Sequence, residues 1–347
     1  MRFGLFSVHD VPTWTTGADV HRNTIEQFVA SEELGFDSIW AAEHHIGRYA
    51  TAGALSVVLS AVAARTKRIR LGTAVSVLPL SHPIRLAEEY ATLDVLSGGR
   101  LDFGIGRGYT PIEFAAFNEN IQENRERMEE SIEIILRAWT EDSFSYKGKY
   151  YEIPEVQVLP RPMQQPHPPI LIASSGNQPG VSSMTFNWAV EKGWGVMFST
   201  GRPNSEVRDH RERMRVMMDD AGFSPGHIEQ TMDRSPVQKQ IYVAPTDDEA
   251  IRDNERGVTW FYQQLANRRM FGINVPAPYD GKPYDWYLDN KVVLFGSPER
   301  VADQITEWRE TVGGNFLMCW MNCGGLPHEK VMRSMRLFAD KVMPRFK

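Results

Sequence analysis

Cysteine, positive charge and long apolar runs are all scarce in this sequence of 347 residues. The two cysteines, Cys319 and Cys323, are too few for the disulfide framework of a secreted protein, so we expect a cytoplasmic chain. Basic side chains number 38 against 44 acidic ones, and this net charge of −6 argues against nucleic acid as a partner.

Neither a secretory signal nor a membrane anchor is expected from the apolar segments. The apolar run at residues 3–8 is too short for a signal peptide and is followed by His9 and Asp10. The most apolar segment, residues 50–64, stops at Arg65 and is shorter than the ~20 residues that a spanning helix needs. We interpret it as a buried helix of a protein without membrane contact.

Short apolar segments alternate with amphipathic ones along the whole chain. Strands are predicted at residues 2–8, 36–42, 69–78, 101–105, 170–173, 194–198, 238–244 and 315–321. Helices are predicted at residues 19–34, 54–64, 83–97, 125–139, 188–192, 206–220, 247–264 and 329–342. About eight strand–helix units fit a closed (β/α)8 TIM barrel better than an open sheet. We therefore predict a single barrel domain over residues 1–347, with functional groups after the carboxyl ends of the strands.

Residues 267–292 interrupt this alternation before the last strand. They are rich in Gly, Pro, Asn, Asp and Tyr and show no clear period. A long irregular segment inside a compact domain is usually a lid over an active site, which is the interpretation we favour. A surface excursion without function is the alternative.

Three ionisable residues, Glu43, His44 and His45, follow the second predicted strand. Adjacent strand residues point to opposite faces, so the two histidines are poorly placed to share a metal, and we predict no metal site. An imidazole exchanges protons near neutral pH, so His44 is a candidate catalytic residue. For His45 we consider it at least as plausible that Glu43 simply holds the ring.

The fourth predicted strand ends in the pattern Gly-x-Gly-Arg-Gly at residues 104–108. It lacks the spacing of a dinucleotide-binding loop. Small residues around Arg107, Gly106 among them, suggest close backbone approach to a flat or anionic ligand that the guanidinium clamps. A tight turn with a solvated arginine is the alternative. Glu113 is either a site carboxylate or part of a solvated helix start.

Hydroxyl groups follow the fifth predicted strand and enter the next helix. Ser175 and Thr185 are candidate phosphate ligands, because hydroxyls and amides at a helix start form an anion site. Ser174 is either a further ligand or structural. Trp194, at the start of the next strand, either faces a ring system or belongs to the core.

Several short motifs, taken together, resemble one family along the whole chain. They are residues 1–6 (MRFGLF), 35–40 (GFDSIW), 43–45 (EHH), 72–75 (GTAV), 82–85 (HPIR), 104–108 (GIGRG), 296–299 (GSPE) and 337–344 (LFADKVMP). Their order and spacing are similar to those of the bacterial luciferase family of flavin-dependent monooxygenases.

The resemblance implies a (β/α)8 barrel that uses reduced FMN and O2, through a flavin C4a-peroxide, to oxidise a small organic substrate. It implies a separate flavin reductase as partner and a homodimer. His44 matches the family's catalytic histidine, and Glu113 preserves an acidic residue. Residues 267–292 match its mobile active-site loop. The matches to flavin-binding positions are Ala74 and Val75 at a cis peptide beside the isoalloxazine, and Arg107, Ser175 and Thr185 at the phosphate.

Departures from the light-emitting members leave other functions open. Gly106 stands where those proteins carry a reactive cysteine, and Tyr109 and Thr110 also differ, which argues against long-chain aldehydes and light emission. A deazaflavin (F420)-dependent oxidoreductase and a non-catalytic flavin-binding subunit are the alternatives. The Glu-His-His motif and the FMN-phosphate positions weigh against the first. His44 weighs against the second, because the family's non-catalytic subunit lacks this histidine.

Overall fold

The computed structural model describes residues 1–174, 181–198, 202–270 and 281–347. The strands within these ranges are β1 (Arg2–Ser7), β2 (Ser38–Ala41), β3 (Arg70–Thr73), β4 (Ser76–Val77), β5 (Leu101–Gly106), β6 (Phe144–Lys147), β7 (Glu152–Val156), β8 (Ile170–Ser174), β9 (Gly195–Phe198), β10 (Val237–Val243), β11 (Val293–Gly296) and β12 (Phe316–Trp320).

The helices are α1 (Gly17–Glu33), α2 (Leu55–Ala63), α3 (Pro83–Ser97), α4 (Pro111–Ala116), α5 (Asn124–Thr140), α6 (Val181–Glu191), α7 (Asn204–Asp220), α8 (Pro225–Arg234), α9 (Asp247–Met270), α10 (Tyr284–Asp289), α11 (Pro298–Val312) and α12 (His328–Leu337). Within the described ranges, none of them is both long and apolar enough to cross a bilayer.

Eight parallel strands close into a barrel. Their order is β1, β2, β3, β5, β8, β9, β10 and β12, and β12 pairs with β1. Val237 of β10 opposite Phe198 of β9 completes the ring. The short β4 pairs with β5, and β11 pairs with β10 outside this order. The predicted (β/α)8 barrel is confirmed.

The barrel strands are buried on both faces, as parallel strands covered by helices must be. Trp40 of β2 is 1% exposed, and glycines on both neighbouring strands make room for its indole. A Cβ at Gly72 would lie 2.1 Å from Trp40 Cε3, and one at Gly4 would lie 2.7 Å from its Nε1. Trp40 Nε1 donates a hydrogen bond of 2.8 Å to Ser38 Oγ, so the buried indole is also satisfied.

The predicted elements differ from the structure in several places. The strand expected at 69–78 is two strands, β3 and β4, separated by Ala74 and Val75. The hairpin of β6 and β7 and the helices α4 and α8 were not predicted. Strand β11 and helix α11 were also not predicted, because the four residues of β11 follow directly on the irregular segment. That segment is not irregular at its described ends, since α9 continues to Met270 and α10 occupies 284–289. The central part of the expected lid, residues 271–280, lies outside the described residues.

Helix α9 packs across the carboxyl ends of the barrel strands. Phe261 of α9 contacts Trp320, the last residue of β12, with ring centroids 4.4 Å apart. The close approach needs glycine, because a Cβ on Gly257 would lie 2.9 Å from the carbonyl oxygen of Gly324. Phe261 also stacks on Tyr49 with centroids 5.2 Å apart. Helix α9 therefore forms one wall beside the loop that follows β2.

Candidate active site

His44 and Glu113 form a hydrogen-bonded pair at the carboxyl end of the barrel. His44 follows β2, and Glu113 lies on α4, the short helix after β5. Glu113 Oε1 lies 3.0 Å from His44 Nδ1 and also accepts a 2.9 Å hydrogen bond from the backbone N–H of His45. The Glu113 side chain is 1% exposed and that of His44 is 12% exposed. Glu113 is therefore a buried carboxylate of the site, and not part of a solvated helix start.

This pairing defines the chemistry of the His44 ring. Beside an ionised carboxylate, which only accepts hydrogen bonds, Nδ1 would carry the proton and Nε2 would be left to accept or return one. Nε2 lies 3.5 Å from the Tyr109 hydroxyl. The ring also makes edge contacts with Tyr49 and Tyr109, at centroid distances of 5.1 and 5.6 Å. A carboxylate that orients an imidazole in this way is the arrangement of a general acid–base.

Glu43 holds His45 and also the segment that follows the barrel strand β3. Its Oε1 lies 3.0 Å from His45 Nε2. Its Oε2 accepts hydrogen bonds from the Val77 amide at 3.1 Å and from the Ser76 hydroxyl at 3.3 Å. This geometry agrees with the alternative in which Glu43 simply holds the His45 ring. The two histidines have different carboxylate partners, so they do not converge on one point.

Gly106, the last residue of β5, packs closely against Val75. The peptide bond between Ala74 and Val75 is cis, in agreement with the implication of the resemblance. A Cβ at Gly106 would lie 2.4 Å from Val75 Cγ2. No larger residue fits at position 106 without moving Val75, so the glycine is needed for this close packing.

Arg107 is a partly buried cation without a carboxylate partner among the described residues. Its Nη1 donates a 3.4 Å hydrogen bond to Asn124 Oδ1, and Asn124 Nδ2 in turn donates to the carbonyl of Gly108 at 2.9 Å. Burial, and to a smaller degree the neighbouring charge of Arg125, lower the pKa of the Arg107 guanidinium below its ordinary value. A desolvated cation of this kind is stabilised by an anion, which makes Arg107 the strongest candidate for a phosphate contact.

In the strand order, the strand that precedes the Thr185 helix lies next to the strand that leads to Arg107. Strand β8, which ends at Ser174, pairs with β5, which leads to Arg107. Parallel neighbours bring the loops after their carboxyl ends together. Thr185 is buried in α6, the helix that follows β8. The side chains of Ser174 and Ser175 lie outside the described part of the chain.

Trp194 is not brought to this end of the barrel. It immediately precedes β9, so it lies at the amino end of a parallel strand, whereas His44 and Arg107 follow carboxyl ends. Its ring packs edge-on against Trp188 with centroids 5.3 Å apart. The expectation that Trp194 faces the cofactor ring is therefore wrong, because a residue before a strand and one after it lie at opposite ends of the barrel.

Three contributors to the site were not found in the sequence. Asn124 supports Arg107, while Tyr49 and Phe261 build the wall beside His44. None carries a local signal: Asn124 begins a helix, and the two aromatics resemble ordinary core residues. The described residues contain no group of three or more His, Cys, Asp or Glu side chains that would hold a metal ion. Cys319 and Cys323 are free and buried, as expected for core thiols.

The family model for luciferase-like monooxygenases matches residues 1–314. The chain belongs to this family. It is similar to the oxygenase component of a flavin-dependent trigonelline monooxygenase from Acinetobacter baylyi, with 27% identity over 100% of this chain and 96% of that protein. It is also similar to the crystal structure of a monooxygenase from Streptomyces bottropensis, with 28% identity, a TM-score of 0.84 and complete coverage of both chains.

The fold alone is shared with an enzyme that uses a different cofactor. An F420-dependent secondary alcohol dehydrogenase matches with 17% identity and a TM-score of 0.74, covering 100% of this chain and 99% of that one. The protein is thus a luciferase-like monooxygenase by family, and its relatives include oxygenase components. The fold alone therefore does not distinguish between the two cofactors.

Proposed function

We propose that this protein is the oxygenase component of a two-component, FMN-dependent monooxygenase. It takes reduced FMN from a separate flavin reductase and uses it with O2 to oxidise a small organic substrate. The observation that carries the proposal is the buried Glu113 carboxylate on His44 Nδ1, which orients the ring with its Nε2 3.5 Å from the Tyr109 hydroxyl. Reduced flavin supplies the O2 chemistry, and the chain has to supply proton transfer beside it.

The residues present fit a flavin. The cis peptide at Ala74 and Val75 packs against Gly106 at the carboxyl end of the barrel, at the positions where the resemblance implies the flavin ring. Arg107 gives a cation without a carboxylate partner among the described residues, with Thr185 on the helix after the adjacent strand. We assign Arg107, Ser175 and Thr185 to the phosphate and Ala74, Val75 and Gly106 to the ring. Ser174 joins the phosphate ligands by its position at the end of β8.

We assign proton transfer to His44, with Glu113 as the residue that orients it. With Nδ1 donating to Glu113, the neutral ring can take a proton at Nε2 and return it as the imidazolium, which the carboxylate stabilises. Tyr109 and Tyr49 pack around the ring and limit the access of water. This arrangement also supports an active subunit over a non-catalytic one.

The second candidate is an F420-dependent oxidoreductase, which the shared fold of such an enzyme favours. The similar protein from Acinetobacter baylyi is the oxygenase component of a flavin-dependent monooxygenase. This similarity favours a flavin cofactor and a separate reductase for the present protein. We further propose that the protein is cytoplasmic and a homodimer, and that it forms a single barrel domain.

Binding and turnover distinguish the two cofactors. The experiment titrates the protein anaerobically with reduced FMN and with reduced F420, and then admits O2 with a panel of aldehydes, ketones, amines and thioethers. We expect binding of reduced FMN and incorporation of one atom from labelled O2 into a product. Tight binding of F420 with no O2 consumption from reduced FMN would overturn the proposal in favour of the second candidate.

A further inference from the structure

A second cavity lies at the amino end of the barrel, on the side opposite His44. It has a volume of about 520 Å³, within the range of pockets that hold small molecules. Its walls come from the starts of the barrel strands and from α8, and they include Arg2, Arg70, Asp102, Trp194, Arg234 and Phe316. All of these residues lie in the described part of the chain. The site proposed for FMN uses none of them.

The charges that line this cavity are not balanced. Asp102 is the one carboxylate among its lining residues, and it is bound in a bidentate pair by Arg70, with distances of 2.7 Å from Nε and 2.7 Å from Nη2. Arg2 donates to the backbone carbonyl of Asp233, which carries no charge. Arg234 makes no side-chain hydrogen bond or ion pair with any described residue. Neither guanidinium group forms an ion pair with a described residue, so three arginines face one carboxylate among the lining residues, although the charges of Asp233, Asp102 and Asp37 also act on Arg2.

The orientation of Arg2 adds to this imbalance. Its guanidinium lies over the Phe316 ring at 4.6 Å from the centroid, which fixes the plane of its N–H groups. Burial is the main cause that lowers the pKa of Arg2, while the charges of Asp233, Asp102 and Asp37 raise it and that of Arg234 lowers it. Arg2 and Arg234 both line the cavity, so an anion between them could accept hydrogen bonds from two guanidinium groups at once.

Aromatic groups complete the wall. Trp194 is partly exposed and is held edge-on by Trp188, and Phe316 lies under Arg2. Trp40, which is 1% exposed, also lines the cavity. A ring system can pack against Trp194 and beside Phe316 while an acidic substituent reaches the guanidinium groups.

We propose that this cavity is a second binding site, which takes a small planar aromatic compound with one anionic group, a carboxylate or a phosphate. Arg2 and Arg234 bind the anionic group, and Trp194 and Phe316 contact the ring. Arg70 remains paired with Asp102 and shapes the wall without contacting the anion. The site is independent of the function proposed for the opposite end of the barrel.

The first test measures binding by equilibrium dialysis, with tryptophan fluorescence as a second readout. The probes are benzoate, phenyl phosphate, inorganic phosphate and the neutral benzyl alcohol. We expect one equivalent of benzoate or phenyl phosphate to bind, and which of the two binds more tightly identifies the anionic group. Inorganic phosphate and benzyl alcohol should bind at least about 10-fold more weakly, because each lacks one of the two contacts.

The second test assigns the site by substitution. Arg234→Gln should lower the affinity for the aromatic anion by about 10-fold or more, as expected for a lost charge-assisted hydrogen bond. Trp194→Leu should also lower this affinity, because the contact with the aromatic ring is lost. Arg336→Gln, which removes the same charge from an exposed residue of α12, should leave binding unchanged. Binding of FMN at the other end should be unaffected in all three.

Three outcomes would overturn this proposal. They are the absence of binding of both aromatic anions at millimolar concentration, equal affinity of the wild-type and Arg234→Gln proteins, and competition between the probe and FMN for one site. Inorganic phosphate that binds as well as phenyl phosphate would exclude the aromatic class.

Discussion

His44 is held so that one ring nitrogen is committed to Glu113 and the other remains available. His44→Ala should therefore keep the fold and most of the affinity for reduced FMN, but lose proton transfer. We expect product yield per FMN oxidised to fall by on the order of 10²-fold, with a matching rise in hydrogen peroxide release. Product analysis and a peroxide assay measure both.

The control for this change is His82→Ala, which removes an exposed imidazole that caps α3. It should leave the ratio of product to peroxide unchanged. A folded His44→Ala protein with normal product yield would contradict the catalytic assignment and favour a packing role.

Arg107 should distinguish FMN from riboflavin, which has no phosphate. A charge-assisted hydrogen bond to phosphate contributes about 1.5–3 kcal/mol. Arg107→Ala should therefore lower the affinity for reduced FMN by about 10- to 100-fold and the affinity for riboflavin much less. Arg125→Ala is the matched control, because Arg125 is already paired with Glu129 at 2.9 Å. Anaerobic titration of both ligands gives the comparison. Equal weakening of FMN and riboflavin by Arg107→Ala would remove Arg107 from the phosphate site.

Asp10, just after β1, is a buried carboxyl whose ionisation opposes folding. Burial raises the pKa of Asp10 from 3.8 to about 7, although the amides of Gly324 and Gly325 partly oppose the shift. Because the pKa is higher in the folded protein, the stability contributed by the protonated carboxyl is full below about pH 4 and is lost as the pH rises towards 7.

Asp10→Asn should remove this loss. The free energies of unfolding of the variant and the wild type should differ little near pH 4. As the pH rises towards 7, the free energy of unfolding of the variant should exceed that of the wild type by on the order of 1.4 kcal/mol per pH unit. Urea denaturation at the two ends of the window measures the difference. A difference that is constant with pH would show that the Asp10 carboxyl does not titrate in this range.

At the scale of secondary-structure elements, the crossing of α9 over the loop after β12 depends on two glycines. Gly324 has φ +72°, and a Cβ there would lie 2.1 Å from Gly257 Cα. Gly98 has the same φ of +72° but no neighbouring atom within 4 Å. The two positions therefore separate the cost of the left-handed backbone from the cost of the close contact.

Gly98→Ala should lower the free energy of unfolding by about 1–2 kcal/mol, which is the cost of the left-handed backbone without any close contact. Gly324→Ala should cost a further 1–3 kcal/mol, roughly, because α9 has to move away from the barrel. Chemical denaturation of both variants measures the two costs. Since α9 carries Phe261 against Tyr49, only Gly324→Ala should also change the turnover. Equal losses of stability in the two variants would contradict the close packing.

For the whole molecule, the proposed homodimer has a candidate contact on α2. Val57 of α2 is 67% exposed, in a helix that is otherwise apolar and rich in small residues. An exposed apolar side chain of this kind is favourable when a second copy covers it. We expect the wild-type protein to have the mass of a dimer at micromolar concentration.

Val57→Lys should place a charge in that contact and weaken the dimer by about 100-fold or more. Val216→Lys is the control, because Val216 on α7 is also exposed, at 50%. Light scattering coupled to size exclusion measures the mass of all three proteins. A wild-type monomer, or dissociation of both variants alike, would contradict an interface on α2.

The sequence by itself determined the barrel and the loop that carries its histidine. Strands buried on both faces and helices with one apolar face each have a characteristic pattern of apolar residues. That pattern can be recognised in the sequence without knowledge of the fold. Because functional groups follow the carboxyl ends of barrel strands, Glu43, His44 and Arg107 were identified from position alone. The resemblance to the luciferase family added the cis peptide at Ala74 and Val75.

The tertiary structure decided which side chains meet. Glu113 reaches His44 across 69 positions of sequence, and Asn124 reaches Arg107 across 17. Helix α9 lies over the mouth of the barrel because two glycine backbones touch, and the cavity lined by Trp194 exists because strands that are far apart in the sequence converge there. No local sequence pattern predicts these contacts, because each depends on which strands become neighbours when the sheet closes.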